Sequence, residues 1–329
     1  MKNLIVKSAL IMVSGLACLS AMALPLSEYN VFVSGDFTHN SSSIGGKAFI
    51  GGNFIAKNST DVGVTLTPSS TLDSLVTVGN IKGNGTWFNV QAGNVVAGGS
   101  VNKANFNFNG GGTLKKGDKT ALTSQRDSMT NELKSASSNY SAMTNNGNLV
   151  KTSNLTQFNY TGNDSTAIFN VKAADVFRQN ASLNLNAGSA STVIINVSTA
   201  RIAGAAGAVA YDFTAPGGIN FTNGFQPNSN ASNLGASNIL WNFFDATELS
   251  LQGMDTFRGS LLAMGANIMS IGTADGSIAA KSLIQSRQIH NYTFVPPTET
   301  PLPASVQFLL MGMAAFIGLR RWRKKAKTV

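Results

Sequence analysis

Short apolar runs, each ended by glycine and a polar residue, are the main pattern along this chain. Residues 29–37 (YNVFVSGDF) alternate apolar and polar side chains, which predicts a strand that ends in a turn. The phrase at 48–54 (AFIGGNF) returns at 95–101 (VVAGGSV), with looser versions at 78–81 (VGNI) and 265–268 (GANI). Repeats of this kind predict the rungs of a β-solenoid, in which stacked coils bury every second side chain and glycine permits the corners. The intervals between the phrases are irregular, so the sequence alone does not delimit the coils.

One segment changes to a helical period. From Lys119 to about Thr144, apolar side chains recur at steps of three, four or seven and therefore share one face. Asp118 is the expected N-cap, and Asn146-Gly147 is the expected C-terminal stop. Because a single apolar stripe covers a single surface, we expect this helix to lie along the flank of the β structure. The stripe consists of Leu122, Met129, Leu133, Ala136, Tyr140 and Met143.

Beyond the helix the strand pattern resumes and continues to residue 294. The interior is rich in glycine, asparagine, serine and threonine and poor in charge, which suits many short strands joined by tight turns. We therefore predict a mainly β fold, a β-helix or solenoid-like domain over residues 24–295 with one long α-helix packed along its side. The expected strands after the helix cover residues 155–160, 166–171, 182–185, 191–197, 239–247, 257–266, 276–283 and 290–294.

Residues 1–23 have the features of a secretory signal peptide, and cleavage would leave Leu24 as the first residue of the mature chain. Cys18 invites a lipoprotein interpretation, but Gly15 stands where a lipobox has leucine or a similar residue, so the cysteine belongs to the discarded segment. The mature chain then has no thiol for a disulfide, a nucleophile or a zinc site. The signal consists of Lys2 and Lys7, an apolar core at 9–19, and the small residues Ala21 and Ala23 on either side of Met22.

The chain ends in three segments: a proline-punctuated linker and motif at 296–303, an apolar run at 304–319 and a basic stretch at 320–329. The apolar run is shorter than the roughly 20 residues that cross a bilayer comfortably, and the basic stretch would remain in the cytoplasm. We expect a transmembrane segment that holds the chain temporarily at the inner membrane. On hydrophobicity alone, a plain C-terminal anchor is the alternative.

The combination of these three segments resembles the PEP-CTERM sorting signal of Gram-negative bacteria, which an exosortase recognises and cuts. Pro301-Leu302-Pro303 stands where the family's name has Pro-Glu-Pro. A sortase signal is the rival interpretation, but residues 302–306 (LPASV) lack the Thr-Gly pair that a sortase cleaves. The resemblance implies signal peptidase and exosortase as processing enzymes. Its motif residues are Pro301, Leu302, Pro303, Ala304, Arg320, Arg321 and Arg323.

The basic charge of the chain lies at its two ends. Of 24 lysines and arginines, two lie in the signal peptide and six in the tail, which leaves 16 against 15 acidic residues in the body. A protein that binds nucleic acid carries its charge in a patch on the fold itself. We therefore expect no nucleic-acid partner.

Several phrases of the body together resemble the choice-of-anchor A domain, a family found with alternative surface anchors, PEP-CTERM among them. They follow the family's order from about residue 27 to 294, with one departure at 264–266 (MGA), where members often have Ala-Pro-Asn-Ala. The resemblance implies an adhesive, β-helix-like surface domain without an assigned enzymatic activity. The phrases are the opening strand with its Gly-Gly-Asn, the lone helix, and residues 193–197 (VIINV), 241–247 (WNFFDAT), 259–263 (GSLLA) and 290–292 (HNY).

Residue types that carry out catalysis are sparse. The two histidines, His39 and His290, lie far apart at strand edges, where a structural role is expected, and Asp36 is expected in a turn. Asp245 and Glu248 are the acidic pair to consider for glycosidase-like chemistry, but carboxylates three apart are usually solvated. No Gly-x-Ser-x-Gly, His-Glu-x-x-His or Gly-x-x-x-x-Gly-Lys motif is present. We expect a protein that is not an enzyme and has no cofactor, while a calcium site stays open although no Asp-rich loop is present.

These expectations describe an exported, exosortase-sorted protein of the cell surface or extracellular matrix of a polysaccharide-producing bacterium, non-catalytic and adhesive or exopolysaccharide-associated. Asn, Ser and Thr side chains on a flat solenoid face can hydrogen-bond sugars, and an aromatic ring such as that of Trp87 can stack on them, although ordinary solvent-facing strand positions explain these residues equally well. The alternative from another class is a β-helix polysaccharide lyase or hydrolase, which needs acids and a Lys or Arg base in one groove. Ice binding ranks last, because it needs a regular threonine array and residues 65–67 (TLT) have no repeated counterpart.

Overall fold

The computed structural model describes residues 24–203, 207–225 and 234–297. The predicted signal peptide and most of the predicted sorting tail therefore lie outside the described residues. Over the described ranges the chain forms a parallel β-helix with one long α-helix along its side, which confirms the predicted fold class. In this part of the chain, no helix is both long enough and apolar enough to cross a membrane.

The first half of the chain, residues 31–116, forms coils with three faces. Each coil turns at two corners before it returns one level further along the stack, and the long strands bend across a corner. The short helix α1 (Pro25–Glu28) precedes these strands. They are β1 Val31–Val33, β2 Phe37–His39, β3 Ser42–Ile44, β4 Ala48–Ile50, β5 Phe54–Ala56, β6 Thr60–Val62, β7 Asp73–Thr77, β8 Ile81–Val90, β9 Asn94–Ala97, β10 Val101–Phe108 and β11 Leu114–Lys116.

The long helix α2 (Lys119–Ser141) separates these coils from a second set. The second set contains one further short helix, α3 (Ala173–Val176), and a 3-10 turn at Ala236–Asn238. Its strands are β12 Asn148–Lys151, β13 Leu155–Asn159, β14 Thr166–Lys172, β15 Ser182–Asn186, β16 Thr192–Ser198, β17 Arg201–Ala203, β18 Ala208–Ala210, β19 Asp212–Thr214, β20 Asn220–Phe221, β21 Ile239–Asn242, β22 Glu248–Arg258, β23 Ser260–Asp275, β24 Ile278–Gln285 and β25 Ile289–His290.

The chain begins in the middle of the stack. Strand β1 pairs in parallel with β4 on one side and with β24, near the C-terminal end, on the other. One face therefore carries a continuous parallel ladder in the order β14, β16, β21, β23, β24, β1, β4, β7, β9, β11. The two ends of the described chain also meet there, since the Phe294 amide donates to the Leu26 carbonyl at 3.1 Å.

Helix α2 returns the chain from one end of the stack to the other. Ten strands at the parallel spacing extend over roughly 43 Å, and 23 helical residues extend over roughly 35 Å. A helix of this length nearly matches the stack, so the second set of coils can start at the far end and build back to the middle. We call the face along which α2 lies the helix-covered face.

The helix-covered face is buried on both sides, which confirms the predicted position of the helix. The predicted stripe packs on it: Met129, Leu133, Tyr140 and Met143 are buried, with Leu122 and Ala136 partly buried, against Phe32, Phe49, Ile168, Ile194 and Leu240. The N-cap prediction is also confirmed, because the Asp118 carboxylate accepts from the amides of Thr120 at 2.8 Å and Ala121 at 3.2 Å.

The predicted helix end is wrong by a few residues. The helix ends at Ser141, and Asn146-Gly147 instead pairs with β14, since both amides donate to the Ile168 carbonyl and the Asn146 side-chain oxygen accepts from the Ile168 amide at 2.6 Å. This loop satisfies the free edge of β14, the last strand of the ladder. An edge left bare would be a template for pairing with another chain.

The glycine-polar phrases are corners of successive coils, as predicted. The backbone amide of Asn53 donates to the Asp36 carboxylate, 17 residues earlier in the chain. The backbone amide of Asn80 donates to the Asn53 side-chain oxygen, 27 residues earlier, and that of Ser100 donates to the Asn80 side-chain oxygen, 20 residues earlier. Neighbouring corners approach so closely that a Cβ on Gly79 would lie 2.5 Å from the Gly52 carbonyl oxygen. The unequal coil lengths explain why the sequence shows no fixed period.

Some strand predictions need correction. Residues 29–37 do not form one alternating strand: Val31–Val33 is buried at every position, and the chain then turns a corner before β2. Alternation fails here because the strand has protein on both sides. Residues 239–247 remain in a strand only as far as Asn242.

Candidate functional site

A flat polar surface covers the coils of the first half of the chain, on a face away from the helix. Strand β8 sets its pattern: Phe88 and Val90 point into the core, so Trp87 and Asn89 point outward. Trp87 keeps 46% of its surface exposed, although tryptophan is usually buried. We call this surface the amide face; its outward residues are Ser43 on β3, Asp61 on β6, Trp87 and Asn89 on β8, and Asn105 and Asn107 on β10.

Hydrogen bonds between levels hold the side chains of the amide face in a row. The Asn89 amide nitrogen donates to the Asp61 carboxylate at 2.7 Å, and the Asn107 amide nitrogen donates to the Asn89 side-chain oxygen at 3.0 Å. Because the strands are parallel and in register, the outward groups of four levels repeat at about 4.8 Å. The remaining lone pairs and N–H groups of this row face solvent.

A stack of aromatic rings beneath the amide face keeps it rigid. Phe37 and Phe54 lie parallel at 5.1 Å between ring centroids, Phe54 meets Phe88 edge-on at 5.3 Å, and Phe88 stacks on Phe106 at 5.2 Å. Such contacts stabilise a core beyond the area that they bury. The exposed Trp87 ring is therefore presented from a fixed backbone beside a fixed row of polar groups.

The acidic pair considered for catalysis has structural partners. Asp245 accepts from the Ser198 hydroxyl at 2.6 Å and from the amide and hydroxyl of Thr199 at 2.8 and 2.9 Å. Glu248 accepts from the Asn267 side chain at 2.6 Å. Both carboxylates tie neighbouring coils together at corners, and neither is arranged with the other as an acid–base pair.

The two histidines lie in different environments. His39 is fully buried at the end of β2, where its Nδ1 lies 3.0 Å from the Thr60 hydroxyl, and burial lowers its pKa to about 4. His290 Nδ1 lies 2.5 Å from the buried Asp275 carboxylate, which also pairs with Arg258. Both contacts join coils. Among the described residues, no cluster of three or more His, Cys, Asp or Glu side chains could hold a metal ion.

Other predicted site residues are only partly described. Leu24, the expected first residue of the mature chain, is buried as the N-cap of α1, whereas Ala21 and Ala23 lie outside the described residues. So do the sorting-motif residues Pro301, Leu302, Pro303, Ala304, Arg320, Arg321 and Arg323.

An asparagine row beneath the helix was missed by the sequence analysis. The Nδ2 groups of Asn242, Asn196 and Asn170, on three successive levels, donate to the carbonyls of Ser137, Tyr140 and Met143 at 2.9, 2.7 and 3.0 Å. The signal was present as a repeat of two apolar residues, asparagine and one apolar residue, at 168–171 (IFNV), 194–197 (IINV) and 240–243 (LWNF).

The sequence matches one protein family over residues 23–291, most of its length. The family is described as "Putative Ice-binding-like adhesive domain". This chain belongs to that family. The match covers both sets of coils and the helix between them, so the amide face and the asparagine row are both parts of the family domain in this chain. None of the curated proteins matches this sequence.

Three solved structures are similar to this member of the ice-binding-like adhesive family at low identity. An ice binding protein from an Antarctic biological consortium is 13% identical, over 82% of this chain and 88% of that chain, with a TM-score of 0.33. One from the Antarctic ascomycete Antarctomyces psychrotrophicus is 11% identical, over 80% and 95%, with a TM-score of 0.26. One from an Antarctic bacterium of the Flavobacteriaceae is 13% identical, over 82% and 78%, with a TM-score of 0.27.

Proposed function

We propose that this protein is a non-catalytic adhesive of the cell surface or extracellular matrix, and that its amide face binds polysaccharide. The observation that carries the proposal is the exposed Trp87 ring beside the hydrogen-bonded row of Asp61, Asn89 and Asn107. A pyranose ring offers one face of C–H groups that can stack on an aromatic ring, and hydroxyls at its edge that can bond to amides and carboxylates. Membership of an adhesive-type family supports the same role.

The proposal includes export and sorting. The signal peptide at 1–23 and the PEP-CTERM-like tail support passage across the inner membrane, temporary retention there, and release to the surface after an exosortase cut. The resemblance to the choice-of-anchor A domain supports the same route, because that family is paired with such anchors. The buried position of Leu24 fits a mature chain that begins there, since its backbone already caps α1.

The alternative of a polysaccharide lyase or hydrolase has less support. Hydrolysis in most glycosidases uses two carboxyl groups on either side of the scissile bond. On the amide face, Asp61 is the one carboxylate of the named row, and it accepts from Asn89. Asp245 and Glu248 are held by other partners.

Ice binding has no specific support on these faces. Ice binding needs a regular array of threonine side chains on a flat face. The amide face instead carries asparagine, aspartate and tryptophan. The adjoining face has Thr38, Ile55, Lys82 and Asn102 in successive outward positions, of which one is threonine.

Binding of polysaccharide is tested with the purified protein and its Trp87→Ala variant, by retention on immobilised exopolysaccharide of the host. We expect the variant to lose about fivefold in affinity, because aromatic stacking contributes on the order of 1 kcal/mol and each 1.4 kcal/mol is tenfold. Tyr292→Ala is the matched control, since Tyr292 is 38% exposed and lies outside the amide face. Equal affinities of all three proteins would refute the proposed face.

Sorting is tested by fractionation and intact-mass measurement of the protein from its host, with and without the exosortase. We expect the mature form to begin at Leu24, to lack the segment after the Pro301 region, and to reach the surface or matrix only when the exosortase is present. A protein that keeps its tail and stays in the inner membrane in both strains would establish a plain anchor instead.

A further inference from the structure

A groove beside the C-terminal half of α2 is a second surface of the molecule to which no role has been given. It consists of two adjoining cavities of about 380 Å³ each, which share Ser141 and Phe244 in their linings. Each is within the range of small-molecule pockets. Phe244 lines both cavities and keeps 43% of its surface exposed, so each cavity includes part of one accessible aromatic residue. We call them together the Phe244 groove.

The two walls of the Phe244 groove come from different elements. On α2, the side chains of Lys134, Ser138 and Ser141 recur at steps of four and three and therefore form one ridge. The opposite wall follows the strand ladder, where Lys172 pairs with Ser198 and the next level contributes Phe244. The groove thus runs along the axis of the solenoid across four levels, from β14 to β23, or roughly 14 Å.

Two residues of the asparagine row, Asn170 and Asn196, line the groove, and the row as a whole fixes the groove's width. Asn196 donates to the Tyr140 carbonyl of α2 at 2.7 Å and to the Asn170 side chain at 2.8 Å. Asn242 binds Ser137 of α2 through both of its side-chain groups. Because the helix and Met143 just after it are tied to three successive levels, the ridge and the Phe244 wall keep their separation when the groove is empty. A preformed site loses less conformational freedom when a ligand binds.

The charge of the groove is positive. Lys134 lines one cavity and Lys172 the other, and neither has an acidic partner within 4.0 Å among the described residues. The one carboxylate in the lining, Asp175, is paired with Lys151 at 2.5 Å. The two lysines thus belong to different cavities of the groove, and Phe244 belongs to both.

We propose that the Phe244 groove binds a segment of an acidic polysaccharide. The Phe244 ring stacks on one sugar, the Lys134 and Lys172 ammonium groups bind carboxylates or sulfates of flanking sugars, and the Ser138 and Ser141 hydroxyls bind neutral hydroxyls. This inference rests on the proposed adhesive function and adds to it a second site with a different preference. The amide face carries an aspartate in its row and no lysine, so it suits a neutral chain, whereas the groove suits an anionic one.

The test compares the binding of three probes to the purified protein: polygalacturonate, which carries carboxylates, dextran sulfate, which carries sulfate esters, and neutral dextran. The variants are Phe244→Ala and the double variant Lys134→Gln/Lys172→Gln. Their matched controls are Met269→Ala, an exposed apolar residue outside the groove, and Lys82→Gln, an exposed lysine on another face. Thermal unfolding of each variant checks that it folds.

We expect polygalacturonate to bind in preference to neutral dextran, with about a fivefold loss in Phe244→Ala and at least a similar loss in the lysine double variant. The wild-type affinity is expected to fall as salt rises, and the double variant is expected to lose most of that dependence. Both controls and Trp87→Ala are expected to keep wild-type affinity for polygalacturonate. Tighter binding of dextran sulfate than of polygalacturonate would identify sulfate esters as the recognised groups and would still support an acidic ligand.

The proposal fails if acidic probes bind no better than dextran, or if Phe244→Ala binds them as the wild type does. That failure differs from failure of the proposed function. If Trp87→Ala alone loses binding to the host polysaccharide, the adhesive role stands and the groove has no part in it. If wild-type protein binds neither the host polysaccharide nor any probe, both proposals are wrong.

Discussion

Asn242→Ala tests how the long helix is attached to the solenoid. The Asn242 side chain is fully buried and makes three hydrogen bonds. Its Nδ2 donates to the Ser137 carbonyl and to the Asn196 side-chain oxygen, both at 2.9 Å, and its Oδ1 accepts from the Ser137 hydroxyl at 2.6 Å. Truncation to alanine removes all three bonds and leaves their partners buried without a replacement from water.

The expected cost follows from those partners. The Ser137 hydroxyl can turn to a carbonyl of its own helix, so its loss is partly recovered. The Ser137 carbonyl keeps its helical bond from the Ser141 amide, but the Asn196 oxygen loses its donor, and a buried polar group without a partner costs about 1–3 kcal/mol. We therefore expect Asn242→Ala to lower the free energy of unfolding by about 2 kcal/mol.

Guanidinium unfolding measures this change as a lower midpoint at an unchanged m-value. Asn107→Ala is the matched control, because Asn107 also hydrogen-bonds a neighbouring asparagine but lies exposed on the amide face. We expect that variant to stay within about 0.5 kcal/mol of the wild type. A loss below about 1 kcal/mol in Asn242→Ala would refute the argument that the asparagine row holds the helix.

Three further predictions concern stability. Gly79→Ala should destabilise the protein by about 1–3 kcal/mol in chemical unfolding, because its Cβ would lie 2.5 Å from the Gly52 carbonyl oxygen. Gly217→Ala is the control, because a Cβ there meets open space and should leave the stability unchanged. Equal effects of the two substitutions would disprove close packing of the corners. The folded-state pKa of His39 is lowered from 6.5 to about 4, so between these values the unfolded chain binds a proton that the folded chain does not. The contribution of neutral His39 to the free energy of unfolding is therefore complete above pH 6.5 and is lost as the pH falls toward 4, by up to about 3 kcal/mol. His39→Leu should flatten the decline of the free energy of unfolding between pH 7 and pH 5. Asp118→Ala should cost about 1 kcal/mol of stability while Asp118→Asn keeps the cap, and a neutral alanine variant would contradict the capping role.

The amide face and the Phe244 groove give this protein two candidate surfaces on different sides of one rigid body. If both are occupied, one molecule can join a neutral and an acidic chain without any change of shape. Such a role suits an adhesive protein of a mixed polysaccharide matrix.

The sequence by itself determined the local structure. The stripe from Leu122 to Met143 and the Asp118 cap are encoded within one or two helical turns, so the helix and its start were predictable. The glycine-polar phrases were also recognisable as corners, because the close approach of coils leaves room for no Cβ there. The exposure of Trp87 follows from strand alternation once Phe88 is placed inside.

Only the tertiary structure decided which coil lies next to which. Asn30 donates to the His290 carbonyl across 260 residues, and no local pattern specifies such a contact. The candidate groove could not be predicted from the sequence for the same reason. Lys134, Lys172 and Phe244 come together only because α2 returns the chain along the whole stack of coils. Parallel strands pair between residues far apart in sequence. Because the coils are 17, 27 and 20 residues long, the sequence has no fixed period from which the pairing partner of each strand could be predicted. Propensity and alternation act between neighbours in sequence, whereas the stacking order depends on how all coils bury their faces at once.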